Sequence, residues 1–289
     1  MTSNWNVWGP EDERGALNYI TPEISLAAAS LVETGEVFSL AQPIHTGMKM
    51  PPHRSGVTHL MGRDGGDYAA GARQPGGFQF SEDTIVMPIH TGTHIDALCH
   101  CWYDNKLYNG FSSDTVRSGG AKRLGVEKMG PIVTRGVLLD FVTLTGAPLS
   151  DGTPITSDML MDALEAAGVQ VQAGDAVLLR TGWQEAQDNI DVADFNSEPG
   201  LDLAAARKLA EAGVALIGAD NYAVEVMPFQ SNTVFPVHQC LMRDFGIPLL
   251  EGLVLQPLAE KGRSSFLFVL GTLPIVGGTG SPVAPIVLL

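Results

Sequence analysis

Apolar and polar positions follow two periods along this chain, and the alternation between them lays out the elements. Thr21 caps a helix with Pro22 at its first position, expected to run to about Gly35, and 36–42 follow as a short strand. The apolar run 132–142 has the length and composition of a buried strand. Thr156 or Ser157 then caps a helix that stops at Gly168, and 175–181 form the next strand, closed by Gly182 and Trp183. A helix from Leu203 stops at Gly213, and 214–218 form a strand that leads to Asp220. Helix, glycine and apolar strand thus recur, which argues for α/β packing with some parallel strands. No sequence repeat, low-complexity tract or linker breaks the 289 residues, so 1–289 reads as a single domain.

Between these elements lies a less regular region. The run 83–89 predicts a buried strand ending at His90, and Thr91-Gly92-Thr93 predicts a tight turn, with Gly92 free to take a positive φ. Before it, 45–82 form a long Gly-, Pro- and Arg-rich connection of the kind that serves as a lid or dimer arm. Its His45, His53 and His59 read as surface histidines. Arg54, Arg63 and Arg73 are candidates for holding a substrate carboxylate, and equally for ordinary solvated surface.

Composition narrows the function. Hydrophobic residues at 45% and charged residues at 17% describe a folded globule. A net charge of −15 excludes nucleic acid and anionic membrane as natural partners and leaves a small-molecule substrate. The opening residues lack a basic segment and an apolar core, so no signal peptide is expected. The apolar C-terminal stretch is broken by Gly271, Pro274, Gly277 and Pro282, so no membrane span is expected. Cys99 and Cys101 stand too close for an ordinary bridge, which points to a reducing, cytoplasmic setting.

The chemistry concentrates in one window. Three of the seven histidines, His90, His94 and His100, fall between 90 and 100 together with Asp96. Imidazole and carboxylate together suit zinc, manganese or ferrous iron, and a further imidazole suits proton transfer at neutral pH. His94 and Asp96, two apart, share a face if the backbone is extended, and the turn before them aims His90 at the same point. Coordination positions left open for water mark a catalytic site rather than a structural one. The plainer alternative is a set of hydrogen-bonded core histidines. Trp102 and Tyr103, directly after the window, fit a pocket wall and core packing equally.

A second cluster lies downstream. His238 sits on a helix stopped by Gly246, and Glu251 lies on a strand among Leu249, Leu250, Leu253, Val254 and Leu255. Taken singly, these read as a helix-face histidine and an edge-strand carboxylate, although a buried Glu requires a partner or a metal.

The pattern His-x-Gly-Thr-His-x-Asp-x-x-x-His resembles the signature of the cyclase-like metal-dependent hydrolases, the family of bacterial kynurenine formamidase, isatin hydrolase and manganese-type trans-dienelactone hydrolase. The opening Trp8-Gly-x-x-Asp-Glu-x-Gly-x-x-Asn18 resembles the longer branch of that family, and Gly246 to Leu253 resembles its Gly-x-x-x-Leu-Glu-x-Leu segment. Leu98 departs from the family, which usually has Pro there. The resemblance implies a swivelling β/β/α fold with a mixed sheet or partial barrel around a divalent metal, Mn2+ or Zn2+, as one or two ions. It implies His90, His94 and Asp96 as ligands of one ion, and Asp96, His238 and Glu251 as ligands of a second. It further implies hydrolysis of an amide or lactone carbonyl, with His100 as general base. The alternatives are an isomerase, lyase or cyclase on the same site, or a non-catalytic metal-binding protein. A homodimer or larger assembly is also expected, because the apolar tail Ile286 to Leu289 would otherwise stand exposed.

Overall fold

The apolar runs before Phe141, Thr181 and Asp220 become neighbouring strands of one curled, nine-stranded mixed sheet that forms a half-barrel. The computed structural model describes residues 3–188, 194–230 and 232–289. In chain order the sheet contains β1 (Val37–Ser39), β4 (His94–Asp96), β5 (Ile132–Asp140), β6 (Ala176–Arg180) and β7 (Leu216–Ala219). It is completed by β8 (Leu249–Glu251), β9 (Ser265–Leu270), β10 (Gly280–Pro282) and β11 (Ile286–Leu288). The spatial order is β1-β11-β9-β5-β6-β7-β8-β4-β10. Strands β5 to β8 run parallel, as the recurring helix–strand pattern predicts, and the strands on either side of them pair antiparallel. Val177, Leu178, Leu179, Leu216 and Ile217 are fully buried, as parallel strands covered on both faces require.

The helices form where the caps place them. Thr156 accepts from the Met159 amide and Gly168 closes Ser157–Ala167 in the left-handed conformation, while Asp202 caps Leu203–Glu211. Pro22–Ala29 is capped by Thr21 but stops well short of Gly35.

Two expectations are corrected. The strand before His90 is β3 (Glu82–Val86), and every one of its residues is exposed. Among the described residues it pairs only with β2 (Thr58–Arg63), so the supposed irregular connection supplies half of a two-stranded sheet. With no third strand among the described residues, Ile85 and Val86 stay exposed despite their apolar character. The tail is the second correction. Ile286–Leu288 inserts between β1 and β9, burying Val287 and leaving Leu289 only 3% exposed. The chain's own sheet covers Val287 and Leu289, while Ile286 stays 39% exposed. Among the described residues no helix is long and apolar enough to cross a membrane.

Candidate metal centre

Register builds the site. β4 lies antiparallel between β8 and β10, with His94 opposite Glu251 and Asp96 opposite Gly280. His94 and Asp96 alternate onto one face of β4, and Glu251 joins them there because directly opposed residues share a face. Gly280 supplies no side chain, and the room it leaves is occupied by His90. A Cβ on Gly280 would lie 2.9 Å from His90 Cε1. Gly92 takes the positive φ expected of it, 58°, and turns the chain back so that His90 faces β4.

The resulting cluster is close-set. His90 Nδ1 lies 2.6 Å from Asp96 Oδ1, and His94 Nε2 lies 3.7 Å from the same oxygen. On the other side of Asp96, Oδ2 is 3.8 Å from His100 Nε2 and 3.9 Å from His238 Nε2. Glu251 joins the two sides, with Oε2 3.1 Å from His94 Nε2 and Oε1 3.3 Å from His238 Nε2. Two overlapping groups could hold an ion, His90–Asp96–His100 and Asp96–His238–Glu251. Asp96 is common to both.

Three buried atoms of the cluster, His90 Nδ1, His94 Nε2 and Asp96 Oδ1, have no hydrogen-bond partner. The 2.6 Å approach of the first to the last is therefore a convergence out of hydrogen-bond alignment. Stranded buried polar atoms are costly, and three that face one another are the arrangement a cation would satisfy. The far side of each imidazole is fixed accordingly. His94 Nδ1 donates to the Gly92 carbonyl at 2.8 Å, so its Nε2 keeps a lone pair for the cluster. His90 Nε2 meets the Thr279 hydroxyl at 3.0 Å, leaving Nδ1 facing inward. His238 Nδ1 lies 2.5 Å from Glu225 Oε1, leaving Nε2 inward. The residues present thus fit a divalent ion.

Glu225 is a functional residue that sequence reasoning missed. It is 1% exposed and also accepts the Val237 and His238 amides, both at 3.0 Å. Just before it, Val224 has φ 61°, unusual for a β-branched residue and a sign of a conformation imposed by its surroundings. Those surroundings are Asn221, whose side chain accepts the Val224 amide, and the buried Glu198, which accepts the Tyr222 and Ala223 amides. Burial pushes Glu198 well above the usual carboxylate range, those two amides notwithstanding.

Charge is arranged around the cluster. Burial alone would raise Asp96, but the surrounding imidazoles of His100, His90 and His94 hold it well below the usual range. Burial likewise opposes protonation of His238, yet Glu225 and Glu251 outweigh it and raise that imidazole well above its ordinary value. His94 is raised for the same reason, against burial, by Glu251 and Asp96. His100 is the exception. Burial lowers it despite the nearby Asp96 carboxylate.

His100 follows a turn, its amide donating to the Ala97 carbonyl at 2.8 Å. Its ring lies 4.2 Å from that of His90, and its side chain is 33% exposed into a cavity. Two cavities of about 450 and 470 Å³ open on the cluster. The first reaches His90 and His94 past Trp183 and Phe195; the second reaches Asp96, His100 and His238 past Trp102. Trp102 therefore lines a pocket. Tyr103 does not, and its hydroxyl donates to Asp244. His59 pairs with Asp83 on the exposed hairpin, away from the cluster.

Residues 38–226 match the Cyclase family model, described as "Putative cyclase". No curated protein sequence matches. Among solved structures, one described as a novel cyclase is 36% identical, with complete coverage of both chains and a TM-score of 0.94. A predicted metal-dependent hydrolase from Bacillus stearothermophilus is 22% identical over 88% of this chain and 98% of its own, with a TM-score of 0.57. Isatin hydrolase A from Labrenzia aggregata is 18% identical over 92% and 96%, with a TM-score of 0.65. The last two likenesses are of fold.

Proposed function

The chain belongs to the cyclase family, and from that membership we propose that it is a metal-dependent hydrolase acting on an amide or lactone carbonyl, often one within a ring. The observation that carries this reading is the convergence of three buried, unpartnered ligand atoms, His90 Nδ1, His94 Nε2 and Asp96 Oδ1, beside a cavity. Similarity in fold to a hydrolase of isatin, whose ring contains an amide, supports the substrate class.

His90 and His94, whose ring nitrogens approach the same Asp96 oxygen, would hold one divalent ion with it, and Asp96, His238 and Glu251 a second, with the two oxygens of Asp96 turned one toward each set. When bound, such an ion polarises a carbonyl oxygen and acidifies a water. The chain's own part is proton traffic and positioning. His100, its basicity lowered by burial and its ring reachable from the second cavity, accepts a proton from the attacking water and returns it to the departing nitrogen or oxygen. Glu225 and the Gly92 carbonyl keep His238 and His94 in the tautomer that presents Nε2 inward.

The experiment is a screen of metal-stripped protein reloaded with Mn2+ or Zn2+ over formanilides, cyclic imides, isatins and unsaturated lactones. Metal-dependent turnover with one oxygen from labelled water in the product is expected. Product without label would favour an isomerase, lyase or cyclase. No turnover at full metal load would favour a binding protein.

A further inference from the structure

The two cavities meet at a cation the cluster does not use. Arg54 lines both of them, as do Tyr222 and Glu251. A turn fixes its backbone, with its amide donating to the Pro51 carbonyl at 2.9 Å. Its guanidinium donates to the His90 carbonyl, which ties it to the first residue of the metal motif. It also lies over the Tyr222 ring, 5.0 Å from the centroid. Tyr222 is held in turn by Glu198, which accepts its amide at 3.0 Å.

What Arg54 lacks is an anion. Arg135 pairs with Asp175, and Arg180 pairs with Asp140 and Glu185. Among the described residues no carboxylate forms such a pair with Arg54. A guanidinium presents five N–H donors in a planar fork. The described residues supply it one acceptor, the His90 carbonyl. Holding a half-buried cation at a cavity junction without a carboxylate is unexpected in a chain of net charge −15. Beside it the first cavity is walled by aromatic rings, Phe195 against Tyr222 at 5.4 Å and against Trp183 at 5.8 Å. A planar fork, an aromatic wall and a carbonyl-activating centre together fit one kind of molecule.

We propose that Arg54 is a specificity-determining residue that binds an anionic group, a carboxylate in the first instance, carried by an aromatic or other planar substrate beside its scissile carbonyl. The inference deepens the hydrolase reading and rests on it for the word substrate, but the anion subsite itself is testable without turnover. Arg54 takes the carboxylate edge-on in two parallel hydrogen bonds, and the aromatic wall takes the ring. The tether to His90 sets the distance between this anion and the reacting carbonyl.

The test is calorimetric titration of metal-loaded protein with benzoate and with its neutral isostere benzamide, with metal content and melting temperature measured for every variant. Arg54→Gln is expected to weaken benzoate about 10- to 100-fold, the range of charge-assisted hydrogen bonds, and to leave benzamide unchanged. Arg54→Lys, which keeps the charge and loses the fork, should fall between. Equal benzoate affinity in wild type and Arg54→Gln would overturn the proposal. So would equal losses for benzoate and benzamide, which would mean a structural tether, or no saturable benzoate binding by the wild type. Failure to find a hydrolysed substrate leaves this readout intact, so the two readings fail separately.

Discussion

Glu225→Gln tests whether a residue with no sequence signature controls the centre. Glu225 has three donors on it, the Val237 amide, the His238 amide and His238 Nδ1–H. Glutamine preserves the volume but replaces one carboxylate oxygen with a donor. If that NH2 faces His238 Nδ1, the imidazole must accept there and move its proton to Nε2, the atom that faces Asp96 and Glu251. If it faces the Val237 amide instead, that buried N–H loses its acceptor, a loss of about 1–3 kcal/mol, and His238 Nδ1–H is left on a neutral carbonyl that raises the ring's basicity less than a carboxylate does. Either way His238 becomes a poorer ligand, and the loss of such outer partners typically costs about 10- to 100-fold in metal affinity. That factor corresponds to about 1.4–2.8 kcal/mol. The assay is calorimetric titration of metal-free protein with Mn2+ and Zn2+. The expected result is one weakened binding event, with the event assigned to His90 and His94 preserved. Unchanged affinity at every site, in a folded variant, would refute the assignment of His238 as a ligand and of Glu225 as its orienting partner.

Two further outcomes are expected. His100→Asn should lower kcat about 100- to 10,000-fold with metal content intact, measured by steady-state kinetics and elemental analysis; metal loss would recast His100 as the third member of the His90–Asp96–His100 group. Burial raises Asp220 from 3.8 to about 6 against its hydrogen bonds from Thr181 and Gly182, so the folded state holds that proton more tightly than the unfolded chain. Its contribution to stability is full below about 3.8 and is lost as pH rises through about 6. Urea unfolding between pH 4 and 7 should show Asp220→Asn lacking a decline on the order of 3 kcal/mol that the wild type shows, and parallel profiles would count against it.

The site was legible in the sequence to different depths. His90, His94 and Asp96 stand close enough that a turn and two-residue periodicity bring them together, and Gly92 announces the turn. His238 and Glu251 could be joined to them only through the family resemblance, because their approach depends on the register of β8 against β4, which no local pattern encodes. Glu225 was invisible. It stands between Val224 and Val226 with no metal-motif spacing, and its role exists only once the 220–227 loop folds back on His238. The misread strand before His90 shows the converse, since Ile85 and Val86 have a buried composition but lie exposed on a two-stranded sheet. The tail fails in the opposite direction, since Val287 and Leu289 are buried by the chain's own sheet although Ile286 stays exposed.

The central claim is that Asp96 is the carboxylate on which both donor groups converge, and elemental analysis of Asp96→Ala tests it most directly. The wild type, purified with Mn2+ or Zn2+ present and then desalted, should retain ion at a fixed stoichiometry. Asp96→Ala should retain little or none while His94 and Glu251 remain in place, because both candidate groups lose a shared member. Full wild-type stoichiometry in a folded Asp96→Ala protein would contradict the account.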